Sequence, residues 1–89
     1  MLERTISIRN KLGLHARAAV KFVNVANRFK SEVKIEKDGN EIDGKSILGI
    51  LTLAAIQGTT IKLKISGKDE AKALAALVAL IESKFHEEE

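Results

Sequence analysis

Two short segments constrain this chain more than any other part of it. Over residues 32–37, Val33 and Ile35 alternate with Glu32, Lys34 and Glu36, and over residues 61–66, Ile61, Leu63 and Ile65 alternate with Lys62, Lys64 and Ser66. Successive side chains of a strand point to opposite faces, so each segment has one apolar and one polar face. A parallel sheet, covered on both sides, is built from strands that are apolar throughout. Strands like these belong instead to an antiparallel sheet with one face packed and the other in water. Residues 2–8 add a third strand of the same kind, with Arg4 the imperfect member of an inward row of Leu2, Ile6 and Ile8. Asp38-Gly39 is a hairpin dipeptide, and it leads from 32–37 into a short fourth strand over 41–43.

The dry face of such a sheet needs a cover, and the remaining apolar residues are spaced to supply it. Ala19, Val20, Phe22, Val23, Ala26 and Phe29 predict a helix over 16–29; Leu74, Leu77, Val78, Ile81 and Phe85 predict another over 70–85. Asp69 stands at the N-cap of the later helix. The acids after His86 sit where the negative end of a helix disfavours them, which predicts a frayed tail over 86–89. A short helix over 47–55, interrupted by Gly49, begins behind the Ser46 hydroxyl as its cap. The order is strand, helix, strand, strand, helix, strand, helix, with no repeat and no linker. That is an α+β fold, a four-stranded antiparallel sheet with three helices on one face, in a single domain spanning residues 1–89. A chain of this length has a radius of gyration of about 12 Å, so a reactive group must lie at or near its surface.

Composition removes several classes of function. Without cysteine there is no disulfide and no thiolate metal site, and His86 is not at metal-ligand spacing from His15, so no metal is expected. No run approaches the roughly 20 apolar residues of a membrane span, and Glu3 and Arg4 interrupt what would be the core of a signal peptide, which makes membrane insertion unexpected and a cytoplasmic location the expectation. The formal charge is +3, but the basic residues are interspersed with acids, and three Phe with no Trp or Tyr offer little for base stacking. Nucleic-acid binding is not expected. Nothing in the sequence asks for a cofactor.

His15 is the first candidate for chemistry. It stands in Gly13-Leu14-His15-Ala16-Arg17, where a loop broken by glycine enters the first helix, a position that is exposed by construction. A helix N-terminus offers unpaired backbone N–H groups and about half a positive charge, which attract a phosphate. A neutral imidazole is a nucleophile. A phosphoryl group carried on it would meet the amides of Ala16 and Arg17 and pair with the Arg17 guanidinium, whose fork matches phosphate oxygens. An ordinary exposed histidine beside an ordinary surface arginine has the same spacing, and spacing alone does not separate the two.

A second candidate fails on physical grounds. Residues 39–46, from Gly39 through Gly44-Lys45-Ser46, satisfy the G-x-x-x-x-G-K-[ST] pattern of a nucleotide-binding loop. Glu41 and Asp43 would place two carboxylates against the phosphates, and the chain offers neither the parallel sheet nor the metal-holding acid such a loop requires. Ser46 itself has a structural role as a cap. A phosphoserine there would be tolerated by the helix dipole while adding up to two negative charges to the surface. Ile47, Leu48, Ile50 and Leu51 are too many apolar residues for one buried face of a short helix, so one side of it is expected to meet a partner protein.

Together, Gly13-Leu14-His15-Ala16-Arg17 opening one helix and Asp43-Gly44-Lys45-Ser46-Ile47-Leu48-Gly49 opening another resemble the HPr family, the histidine-containing phosphocarriers of the bacterial phosphotransferase system. The likeness extends over residues 1–85, and that family has an open-faced β-sandwich with the element order given above. The resemblance implies that His15 accepts a phosphoryl group on Nδ1 from enzyme I, charged by phosphoenolpyruvate, and passes it to IIA domains of sugar permeases, with Arg17 steadying the group. It implies a carrier and not a complete enzyme, a monomer, and in relatives with a regulatory serine, phosphorylation at Ser46 by an HPr kinase/phosphorylase. The docking surface would then be Ile47, Leu48 and Leu51, ringed by Lys45, Arg17 and Lys21. A regulatory binding module of the same family, acting through protein contacts in carbon-catabolite or nitrogen control, is the alternative; His15 argues against a purely regulatory role. Ala18 stands where the family usually carries proline, and Val20 is bulkier than the small residue common there.

Overall fold

The alternation of the strands is realised as a register that stacks apolar residues in rows. In the computed structural model, which describes residues 1–87, the strands are β1 (Leu2–Ser7), β2 (Glu32–Lys37), β3 (Asn40–Asp43) and β4 (Thr60–Ser66), in the order β1-β4-β2-β3 with every pair antiparallel. Ile65 lies between Leu2 and Val33, and Leu63 lies between Arg4 and Ile35, so each row runs across three strands. Val33, Ile35, Leu63 and Ile65 are fully buried, whereas Arg4, on the edge strand, is exposed. The outward rows are charged. Lys64 Nζ lies 2.7 Å from Glu36 and 2.9 Å from Glu41, and this pairing pushes the Lys64 amine up and, together with Lys62, holds Glu36 below the usual carboxylate range. Such exposed pairs contribute little to stability, and their service is to keep this face in water.

Three helices cover the other face: α1 (Ala16–Ala26), α2 (Ile47–Thr52) and α3 (Glu70–Glu82). Helix α1 buries Ala18, Ala19, Phe22, Val23 and Ala26, and α3 buries Ala73, Leu77, Val78, Leu80 and Ile81. The apolar spacing extends to residue 29, yet α1 closes at Ala26. Arg28 and Phe29 donate to Val25 and Ala26, three residues back, and these tighter bonds end the α-helix. Helix α2 stops at Thr52 and not at 55, because Ala54 takes left-handed backbone with φ 50°.

Asp69 precedes α3 as expected but makes no side-chain cap bond. Its carboxylate accepts instead from the backbone N–H of Lys30 (2.9 Å) and Ser31 (3.0 Å) and from the Ser31 hydroxyl, donors presented by the loop after α1. These bonds, the Ser31 hydroxyl foremost, hold the Asp69 carboxyl below its ordinary value. A tertiary partner with three donors outcompetes the local cap.

The chain end also departs from the sequence expectation of a tail frayed from residue 86. Lys84–His86 form a single turn in which Lys84, Phe85 and His86 have φ of 60°, 56° and 57°. Left-handed backbone costs about 1–2 kcal/mol at each non-glycine residue. Phe85, fully buried, anchors the turn, and Glu87 beyond it reaches other side chains of the fold. Residues 88 and 89, the rest of the expected tail, lie outside the described residues.

Candidate functional site

The loop between β1 and α1 is shaped by two residues. Gly13 has φ +68°, and a Cβ on it would meet the Ala55 carbonyl oxygen at 2.4 Å and Ile56 Cα at 2.9 Å. Only glycine permits that approach, which lets Leu14 N–H donate to Ala55 O at 2.8 Å and ties the loop to the chain after α2. Asn10, fully buried, donates from Nδ2 to Gly13 O at 2.7 Å.

His15 leaves this loop in extended backbone (φ −80°, ψ 177°) and is the N-cap of α1; its carbonyl accepts the first bond of the helix, from Ala19 N at 2.9 Å. The amides of Ala16, Arg17 and Ala18 therefore open the helix with no acceptor inside it, a site that favours an anion. The imidazole is less exposed than its position alone suggests. Its side chain is 26% exposed, and Nε2 lies 2.7 Å from Glu87 Oε2. Arg17, in the first turn, is exposed, and its side chain has no hydrogen bond or ion pair among the described residues. Ala18, noted above as a departure from the usual proline, is fully buried.

Ser46 is the N-cap of α2, its Oγ accepting from Gly49 N–H at 3.0 Å. The hairpin before it excludes the nucleotide-loop reading in geometric terms as well, because Asn40–Asp43 is strand β3, paired with β2, and not a phosphate cradle. Two of the three cations expected around α2 also bond to carbonyls of the fold. Lys45 Nζ donates to Phe29 O at 2.8 Å, and Lys21 Nζ donates to Phe85 O at 2.6 Å. Both amines satisfy carbonyls where a helix or turn ends, which is where a cation is best placed, and each keeps two further N–H donors.

On α2, Ile50 is fully buried, Leu51 is half-buried against the core, and Ile47 and Leu48 are exposed, Leu48 by 75%. The structure adds Leu12 (68% exposed), Ile56 (71%) and Val20 to these exposed apolar side chains. The 12–13 and 55–56 segments touch at Gly13, so Leu12 and Ile56 stand on neighbouring stretches of chain. No periodicity marks Leu12 or Ile56, since both lie in loops. Two polar residues of the site, Asn10 and Glu87, also escape sequence reasoning, because nothing local links them to a histidine 72 residues from Glu87.

The family described as the PTS HPr component phosphorylation site matches residues 2–83. The chain belongs to the HPr family. It is 52% identical to the phosphocarrier protein HPr of Neisseria meningitidis, with all of both chains aligned. A crystal structure of HPr from Thermoanaerobacter tengcongensis, 52% identical, superposes over the whole of both chains with a TM-score of 0.96. A crystal structure of Crh, the catabolite repression protein of Bacillus subtilis described as a domain-swapped dimer, is 43% identical, with a TM-score of 0.77 over 94% of this chain and 97% of that one. The open-faced β-sandwich is thus the HPr fold, and the chain is a phosphocarrier of the phosphotransferase system by family. No helix among the described residues is long and apolar enough to cross a membrane.

Proposed function

We propose that His15 is the phosphoryl acceptor, charged on Nδ1 by phosphorylated enzyme I and discharged to IIA domains of sugar permeases. The observation that carries this reading is the placement of His15 as the N-cap of α1, with the open amides of Ala16 and Arg17 beside it and, two residues on, an Arg17 guanidinium with no partner among the described residues. A phosphoryl dianion on the ring gains from the helix N-terminus and from a bidentate arginine, and neither group needs to be freed from another partner first. The protein then acts as a shuttle in a transferase system, and the donor and acceptor proteins supply the remaining nucleophiles.

Docking is assigned to the exposed apolar side chains of Ile47 and Leu48, with Leu51 contributing its accessible edge, joined by Leu12, Val20 and Ile56. Ser46, at the margin of that surface, is the proposed site of regulatory phosphorylation by an HPr kinase/phosphorylase. We further propose a monomer in the cytoplasm, a form that leaves the docking surface open to successive partners.

The test is to incubate the protein with enzyme I and labelled phosphoenolpyruvate. One acid-labile phosphoryl group per chain is expected, absent in His15→Ala, and Arg17→Ala should retain the fold but accept the group more slowly. Equal labelling of wild type and His15→Ala would overturn the assignment.

A further inference from the structure

The last described residues do something that phosphoryl transfer as outlined above does not use. Continued in the same hand, α3 would carry residues 83–87 onward along its axis. Lys84, Phe85 and His86 instead adopt left-handed backbone in succession, and the chain turns back. Three such residues in a row persist only where their surroundings hold them. Here the Phe85 ring is fully buried, its carbonyl accepts from Lys21, and Glu87 N–H donates to Lys84 O at 3.1 Å.

The result is a carboxylate, 10% exposed, that divides its two oxygens between two side chains. Glu87 Oε1 accepts from Asn10 Nδ2 at 2.6 Å, and Oε2 lies 2.7 Å from His15 Nε2. Asn10 Nδ2 also donates to Gly13 O, so both of its partners are acceptors and the amide cannot be reversed. Its Oδ1 is left buried without a hydrogen-bond partner among the described residues. An amide that tolerates this to keep two acceptors in place serves to hold Glu87 against the loop that carries His15.

A carboxylate accepts hydrogen bonds and does not donate them, so the nitrogen facing it must carry the proton. We propose that Glu87 is the positioning residue of His15: it fixes the neutral ring as the Nε2–H form, leaves the lone pair on Nδ1, and faces the positive charge the ring acquires on phosphorylation. This rests on the phosphocarrier reading. In the transfer step the Nδ1 lone pair forms the N–P bond while the donor's bond to phosphorus breaks and its electron pair stays on the donor. The Nε2 proton is retained throughout. The ring therefore gains one positive charge, which the Glu87 carboxylate balances, and the return of the phosphoryl group to an acceptor removes that charge again.

The experiment follows the imidazole nitrogens of the full-length, 15N-labelled protein by long-range correlation, before any phosphorylation, beside transfer rates from phosphorylated enzyme I. In the wild type, His15 is expected to show a single Nε2–H form whose ring proton exchanges slowly with water. Glu87→Ala should lose the slow proton and populate both tautomers, with transfer slowed about tenfold, the scale on which removing an orienting partner of a histidine acts. Glu87→Gln has one accepting oxygen for the two donors, Asn10 Nδ2 and His15 Nε2, and no charge, so it should recover the Nε2–H form only in part, and with it only part of the rate. An unchanged ring spectrum or an unchanged transfer rate in Glu87→Ala would overturn the proposal, as would an Nδ1–H ring in the wild type. A ring held by Glu87 in a protein that takes up no phosphoryl group would overturn the carrier reading and with it the role of Glu87 in transfer. A labelled protein whose ring ignores Glu87 overturns this inference alone.

Discussion

Replacing Gly13 by alanine tests whether the loop before His15 is held by close packing and not merely by a turn. Two costs add at this position. Alanine at φ +68° pays about 1–2 kcal/mol for left-handed backbone. Its Cβ would also lie 2.4 Å from Ala55 O, a backbone atom that must move away, and the same oxygen accepts from Leu14 N–H at 2.8 Å. Losing that bond in a buried loop adds about 1–3 kcal/mol. Gly13→Ala should therefore destabilise the protein by roughly 2–5 kcal/mol. Gly39→Ala is the control, because Gly39 has φ +84° but no atom within 4 Å of the added methyl, which leaves only the backbone cost of about 1–2 kcal/mol. The two variants differ by the bond term of about 1–3 kcal/mol, so urea unfolding under identical conditions should separate their midpoints by roughly 0.3–3 M, given slopes of about 1–3 kcal/mol per molar for small proteins. Gly13→Ala should also slow phosphoryl uptake, since the displaced loop carries the ring, whereas Gly39→Ala should not. Equal midpoints for the two variants would refute the claim that contact with Ala55 fixes the loop.

Ser46→Ala removes the oxygen that accepts from Gly49 N–H and should cost about 1 kcal/mol, whereas Ser46→Asp keeps a capping oxygen and should change stability by less than about 1 kcal/mol. If the margin of α2 faces acidic partners, Ser46→Asp will nevertheless slow transfer from enzyme I, most at low salt; full transfer at low salt would remove the switch. The depressed carboxyl of Asp69 stabilises the fold at all pH above its unfolded value of about 3.9, and that contribution is lost as pH falls through its lower folded value. Urea midpoints measured from about pH 5 to pH 2 should therefore fall more steeply for wild type than for Asp69→Asn, and parallel curves would show that the bonds to Lys30 and Ser31 carry no linkage.

The division of labour at the site has a physical logic. The functional atoms of a shuttle must be accessible, yet a ring on a loop is ordinarily free to rotate, and freedom is lost rate. Here accessibility comes from the helix start, while restraint comes from the opposite end of the chain through Asn10 and Glu87. Lys21 and Lys45, which the sequence offers as partner-facing charges, also bond to carbonyls and so hold α1 to the terminal turn and the end of α1 to the start of α2.

The alternation over 32–37 and 61–66 determined the antiparallel sheet and its dry face, and the helical spacing of Phe22, Val23, Leu77 and Ile81 determined the cover, because both periods follow from backbone geometry within a few residues. His15 ahead of a helix and Ser46 as a cap were legible for the same reason: a helix N-terminus is written in adjacent residues. The end of each helix, the use of Asp69, the commitments of Lys21 and Lys45, and the exposure of Leu12 and Ile56 were decided only by the assembled fold. So was the contact of Glu87 with His15. A hydrogen bond across 72 residues leaves no periodic trace in the chain, and a left-handed turn of lysine, phenylalanine and histidine is one that local propensity opposes. It forms because burying Phe85 and anchoring Glu87 through Asn10 reward the turn only after the sheet and its helices have brought both ends of the chain to the same place.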